Sequence, residues 1–161
     1  MNTRGAKKDS VIADLLEVRT AILEAASSMP AGKQGEVFLG VWSVKDLLAH
    51  LAGWDLANIE GARDLLAGHL PGFYAHYDHD WRTYNALLVS RYKQADLGRL
   101  VAFVRNSLAQ LVDFLKTIPA DEFDRDKGLR FRRYRVTIER LIQAEIRDEH
   151  IHLAQLERFC G

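Results

Sequence analysis

Cysteine is almost absent from this chain of 161 residues: Cys160, next to the C-terminus, stands alone. That excludes an internal disulfide framework and a cysteine-based zinc knuckle, and it makes the thiol incidental. Net charge is absent as well, with 22 basic residues against 22 acidic ones, so no overall field draws the protein to nucleic acid or to anionic lipid. No stretch approaches the roughly 18 consecutive apolar residues of a membrane span. The basic start Met-Asn-Thr-Arg-Gly-Ala-Lys-Lys is not followed by the apolar segment of a signal peptide. These absences predict a cytoplasmic protein whose partner is a small molecule, with no nucleic acid and no membrane among its partners. A homodimer is compatible with them.

What is present is an apolar period close to 3.6, which predicts an all-α chain in one domain over residues 1–161. Proline is scarce, at three residues, and each one falls between periodic segments. The first helix is expected from Ser10 to Ser27, with Val11, Leu15, Leu16, Val18, Ile22 and Leu23 as its stripe. Ser43, with Asp46 in the capping-box position, opens a second helix that runs to Ala67. Gly53 and Gly61 interrupt it at a cost of about 1 kcal/mol each relative to Ala, which close packing against a neighbour would explain. A third helix is expected from Asp80 to Gln94. Asp96 caps a fourth, which ends at Ile118-Pro119, and Thr137 caps a last one from Ile138 to Phe159. Strand signals are weak throughout, so a bundle of four main helices is the economical architecture.

Turning the last helix through 100° per residue places Ile138, Leu141, Ile142, Leu156 and Phe159 on one inward stripe. Glu145, Glu149 and His152 fall inside it, and Asp148 lies on its flank. Burying such groups unpaired costs several kcal/mol each, on the order of a whole domain's margin, unless they pair, bind a cation or line a cavity. On the second helix His50 borders the inward face beside Trp54. Asp148 and His152, four residues apart, stand one turn above each other, about 5–6 Å apart at Cβ. Two imidazoles and a carboxylate suit a divalent transition metal, zinc or nickel, and leave a position open. The candidate metal ligands are therefore His50, Asp148 and His152, with Glu145 and Glu149 as candidates for a general base or for orienting the ligands.

The same residues also admit plainer roles. Asp46 could pair with His50 along the helix surface, and Glu145 and Glu149 could pair with Arg140 or Arg147 across solvent. His76, Asp78, His79 and Asp80 form a loop cluster of the kind that is usually solvated. The basic run Arg130-Phe-Arg-Arg-Tyr-Arg135 has a pattern that can grip a phosphate backbone. With zero net charge it is expected instead to cap the bundle or to meet an anionic group on a small substrate. Trp54, Tyr74, Trp81 and Tyr84 are pocket or core.

The segment Trp42-Ser-Val-Lys-Asp-Leu-Leu-Ala-His-Leu-Ala-Gly-Trp-Asp55 resembles the second-helix signature of the DinB/YfiT-like superfamily. Asp148-Glu-His-Ile-His-Leu-Ala-Gln-Leu156 is similar to that family's closing motif. The resemblance implies an up-down-down-up four-helix fold and places His50, Asp148 and His152 at the three ligand positions. Many members have histidine where this chain has Asp148, while the mycothiol-dependent maleylpyruvate isomerase branch has a carboxylate there. Gly53-Trp54-Asp55, Leu70-Pro-Gly-Phe-Tyr74 and Asp80-Trp-Arg-Thr-Tyr-Asn85 look like the branch related to the ClbS and DfsB proteins. That resemblance implies a metal-dependent hydrolase or thiol transferase acting on a reactive small molecule, since a divalent ion with an open position lowers the pKa of a bound water or thiol. The alternative is a stress-related binding or sequestering protein that keeps the bundle without turnover.

Overall fold

The computed structural model describes residues 3–161. Six helices and one short strand pair follow in the order α1 (Thr3–Ser27), α2 (Val44–Leu66), α3 (Arg82–Tyr92), α4 (Leu97–Thr117), α5 (Ala120–Phe123), β1 (Arg130–Phe131), β2 (Tyr134–Arg135) and α6 (Ile138–Cys160). The protein is an all-α bundle in which α1 packs chiefly on α6, and α2 on α4 and α3. No helix among the described residues is long and apolar enough to cross a membrane.

The caps form as their chemistry requires. The Asp46 amide donates to Ser43 Oγ at 3.4 Å and the Ser43 amide donates to Asp46 Oδ2 at 2.9 Å, closing a capping box at the head of α2. This use of Asp46 replaces the surface pair with His50. Asp96 Oδ1 accepts from the Arg99 amide at 2.8 Å, and Thr137 Oγ1 accepts from the Arg140 amide at 3.2 Å.

Two helix starts and one inward position differ from expectation. Helix α1 begins at Thr3 rather than Ser10. Its first turns are held by Lys8, whose buried Nζ donates to the Leu115 and Ile118 carbonyls at 3.2 and 2.6 Å and so satisfies the open end of α4. Leu16, expected on the inward stripe, is 39% exposed, and Arg19 is fully buried on it instead. Helix α3 starts at Arg82, because Asp78 Oδ2 accepts from the Thr83 amide and hydroxyl at 3.0 and 2.6 Å while Asp80 takes the Arg82 amide at 3.1 Å. Two members of the loop cluster are therefore spent on starting a helix.

The glycines of α2 mark close approaches. A Cβ on Gly53 would stand 2.7 Å from Leu88 Cβ of α3, and one on Gly61 would stand 2.9 Å from the Phe73 ring.

The apolar core divides into two clusters. One contains Val11, Leu15, Ile59, Leu108, Leu111 and Ile142, and the other contains Val18, Ile22, Leu48, Leu51, Val104 and Leu156. On each long helix a buried polar residue stands between the two sets: Arg19 on α1, Asp55 on α2, Ser107 on α4, and Glu145 and Glu149 on α6. A polar layer thus crosses the middle of the bundle, and the candidate site is built upon it.

Candidate functional site

The polar layer centres on Arg19. Its Nε donates to Glu149 Oε1 at 2.6 Å and its Nη2 to Glu149 Oε2 at 2.9 Å. A second fork reaches Asp55, Nη1 to Oδ2 and Nη2 to Oδ1, both at 2.8 Å. Nη2 also lies 3.2 Å from Glu145 Oε1. Asn58 Nδ2 donates to the other Glu145 oxygen at 2.8 Å, and Ser107 Oγ donates to Asp55 at 2.7 Å. The planar guanidinium suits this double fork, which a lysine could not reproduce.

Formally the layer holds one cation and three carboxylates. Burial, with Asp55 and Glu149 nearby, raises the Glu145 pKa well above the ordinary carboxylate value. The Glu149 pKa is also raised, by burial first, with Arg19 opposing. Glu145 and Glu149 therefore pair with Arg19 in the interior, and not with Arg140 or Arg147 across solvent.

Directly beside this layer lies a cavity of about 140 Å³. It is lined by the rings of Trp54, Phe73, Tyr74 and Trp81 and by His50, Asn58, Glu145, Asp148, Glu149 and His152. Trp81 holds a left-handed φ of 61° at the entry to α3, which sets its ring edge-on to Trp54 at 5.6 Å. Trp54 is fixed in turn by Nε1 donating to Asn85 Oδ1 at 2.8 Å. Tyr84 packs on Trp54 from a neighbouring recess.

The structure brings the two histidines together, with ring centroids 5.4 Å apart and planes at 85°. His50 is buried under Trp42, whose ring lies 4.7 Å away. Its Nδ1 is buried with no hydrogen-bond partner among the described residues. Burial, then His152 and Arg19, push the His50 pKa down to about 3, so the ring is neutral at physiological pH. His152 Nδ1 lies 3.1 Å from Gln155 Oε1. This contact fixes the orientation of the imidazole ring, as hydrogen bonds from outside a metal site do for a ligating histidine. Asp148 stands at the rim. The residue as a whole is exposed, yet its carboxyl is shielded enough for desolvation to raise its pKa, with His152 and Arg147 opposing. Among the described residues no three His, Cys, Asp or Glu side chains are placed so that together they could hold a metal ion. The adjacent imidazoles of His50 and His152, the orphaned nitrogen of His50 and the excess of carboxylates nevertheless suit the donor chemistry of a divalent cation.

Sequence reasoning missed Arg19, Asp55 and Asn58. The signal was present, since Arg19 lies four residues after Leu15 and three before Ile22, on the inward stripe.

Residues 14–156 match the DinB superfamily. The chain belongs to the DinB superfamily. Solved structures share its fold. A crystal structure of the colibactin self-resistance protein ClbS in complex with dsDNA aligns with a TM-score of 0.75 at 17% identity, covering 94% of this chain and 93% of ClbS. An uncharacterised protein from Escherichia coli UTI89 aligns at 0.71 and 16% identity, covering 94% and 91%. A Streptococcus pneumoniae protein aligns at 0.77 and 10% identity, covering 94% and 89%. No curated protein matches the chain in sequence.

The ClbS complex overturns one expectation. The exclusion of nucleic acid rested on zero net charge, which describes a sum over the whole chain, whereas nucleic acid meets a local surface. A local concentration of exposed positive charge lies on the strand pair that sequence reading missed. β1 and β2 pair antiparallel, Arg130 with Arg135 and Phe131 with Tyr134, and all four arginines of residues 130–135 are exposed.

Proposed function

We propose that this DinB-superfamily protein is a metal-dependent enzyme, a hydrolase or thiol transferase, that processes a reactive small molecule or reactive group in the cavity. The observation that carries this reading is the pair His50 and His152, two imidazoles set edge to face 5.4 Å apart in the lining of one cavity, with Gln155 orienting the His152 ring. His50, His152 and Asp148 would hold a divalent ion, zinc or nickel. Such an ion supplies Lewis acidity and a lowered pKa for a coordinated water or thiol.

The chain's own residues do the rest. Trp54, Phe73, Tyr74 and Trp81 exclude bulk water and offer faces for a flat or apolar group. Glu145, on the cavity wall with a raised pKa, is the acid–base group. Asn58 and Arg19 fix the positions of its two oxygens. Glu149, gripped at both oxygens by Arg19, holds α6 in register so that Asp148 and His152 face the cavity.

A second reading, in which the same bundle contacts duplex DNA, is favoured by the exposed arginine pair-strand and by the duplex bound to ClbS. A non-catalytic sequestering protein is the remaining class.

Metal analysis of protein purified after growth in zinc- or nickel-supplemented medium tests the first reading. About one ion per chain is expected. His152→Ala should lose it with helical content unchanged, and Asp148→Asn should bind more weakly. Absence of metal under repletion, with the protein folded, refutes the reading and favours sequestration. Full occupancy in His152→Ala refutes the ligand assignment.

A further inference from the structure

We propose that the β1–β2 hairpin is the arm that grips the phosphate backbone of duplex DNA and holds it beside the cavity. This rests on the duplex-DNA reading above and names the surface that carries it. A two-residue strand pair has no stability of its own. Here it is anchored by Phe131, which stacks on Tyr74 at 4.3 Å and meets Tyr77 edge-on at 5.0 Å. Tyr74 is itself part of the cavity wall. The hairpin is therefore fixed relative to the cavity, and whatever it holds lies next to the aromatic wall.

Its charges are sorted into two groups. Arg130 is forked onto Asp126 at 2.8 and 3.0 Å, and Arg135 stands 3.8 Å from the same carboxylate, so these two brace the base of the hairpin. Arg132 and Arg133 form the turn. Arg132 takes a left-handed φ of 58°, where glycine or asparagine is the ordinary choice, and its guanidinium lies 5.1 Å from the centroid of the Tyr77 ring. Arg133 is exposed and has no partner among the described residues. Tyr134 projects beside them, 71% exposed. An arginine retained at a strained turn, a second one unpaired and an aromatic ring in solvent are costly choices for a loop that merely connects α5 to α6. They fit a surface that meets phosphates and sugar edges, in which guanidinium groups supply forked donors and fixed charge.

The test measures binding of a fluorescently labelled duplex of about 20 base pairs by anisotropy, using the full chain, between about 50 and 200 mM salt. The double variant Arg132→Gln/Arg133→Gln leaves Phe131, the Asp126 fork and the cavity intact. It should weaken binding on the order of tenfold at low salt and reduce the slope of log affinity against log salt by about two, at roughly 0.9 for each phosphate no longer neutralised. Arg133→Lys should retain the slope. Unchanged melting temperatures will show that the variants are folded.

If the wild-type chain binds duplex and the double variant binds it with the same affinity and slope, the hairpin is not the arm and the duplex-DNA reading survives without it. If the wild-type chain binds no duplex even at low salt, that reading fails and the proposal fails with it. Binding to phosphatidylserine-containing vesicles in place of the duplex overturns both in favour of a lipid surface.

Discussion

Removing Arg19 is the sharpest perturbation the fold offers, because one side chain organises the whole polar layer. Arg19→Ala deletes five hydrogen bonds to three buried carboxylates. Asp55 keeps Ser107 and Glu145 keeps Asn58, while Glu149 keeps no partner. Breaking a buried ion pair from one side costs about 3–5 kcal/mol, against a total stability on the order of 5–15 kcal/mol. For a chain of this length that is a fall in Tm of roughly 6–20 °C.

The loss must also depend on pH. Glu145 and Glu149 have pKa values raised above those of the unfolded chain, so their protonated forms favour the folded state. That contribution is fully present below about 4.5 and is lost as pH rises through the folded values. Without Arg19 both carboxyls will hold their protons more firmly, so the deficit of the variant should shrink between pH 7 and pH 5. Arg19→Lys, with charge but no fork, should fall between the two. Urea unfolding followed by circular dichroism reads all three proteins at both pH values. A variant within about 1 kcal/mol of the parent at pH 7, or a deficit identical at pH 5, refutes the account.

Two further outcomes follow from the same geometry. Gly53→Ala should destabilise by about 1–3 kcal/mol, since its Cβ would lie 2.7 Å from Leu88 Cβ and α3 must shift; Gly32→Ala, which meets nothing within 4 Å, should change stability by no more than about 0.5 kcal/mol in a thermal melt. His50, pushed from 6.5 to about 3, should make the metal-free protein lose stability as pH falls from 6.5 toward 3, because the unfolded chain takes up a proton there that the buried ring does not. The ceiling is roughly 5 kcal/mol. His50→Gln should flatten that dependence, and parallel unfolding curves for the two proteins across this range would show that His50 is not the titrating group.

The parts of the fold that could be read in the sequence are those where local chemistry decides the outcome. Ser43 and Asp46, Asp96, and Thr137 announce helix starts because a short polar side chain before an apolar run satisfies open amides wherever it occurs. The stripe of α4 was legible as a strong period of leucine and valine, broken on its buried face only by the small Ser107. Long-range partners decide the places where the reading failed. The early start of α1 depends on Lys8 reaching carbonyls more than a hundred residues away. The β1–β2 pair depends on Phe131 finding Tyr74 rather than on any strand propensity.

The candidate site divides along the same line. His50, Asp148 and His152 could be singled out because metal chemistry restricts residue type and helical spacing, and the structure does place all three around one cavity. Arg19 was passed over although its spacing put it on the stripe, because an arginine there ordinarily reads as an edge residue whose head reaches solvent. Its burial becomes intelligible only with Asp55, Glu145 and Glu149 in view, from two other helices. A bundle of this size could fill the same volume with leucine and gain stability, since buried ion networks are often no better than apolar packing. The layer therefore needs another reason to exist. It lies directly behind the histidine pair, carries more negative than positive charge, and fixes the helix that bears Asp148 and His152 against the helix that bears His50. Those three properties are what the proposed cation site would require of its support, and on that proposal the costly arrangement at the centre of an otherwise apolar core has a use.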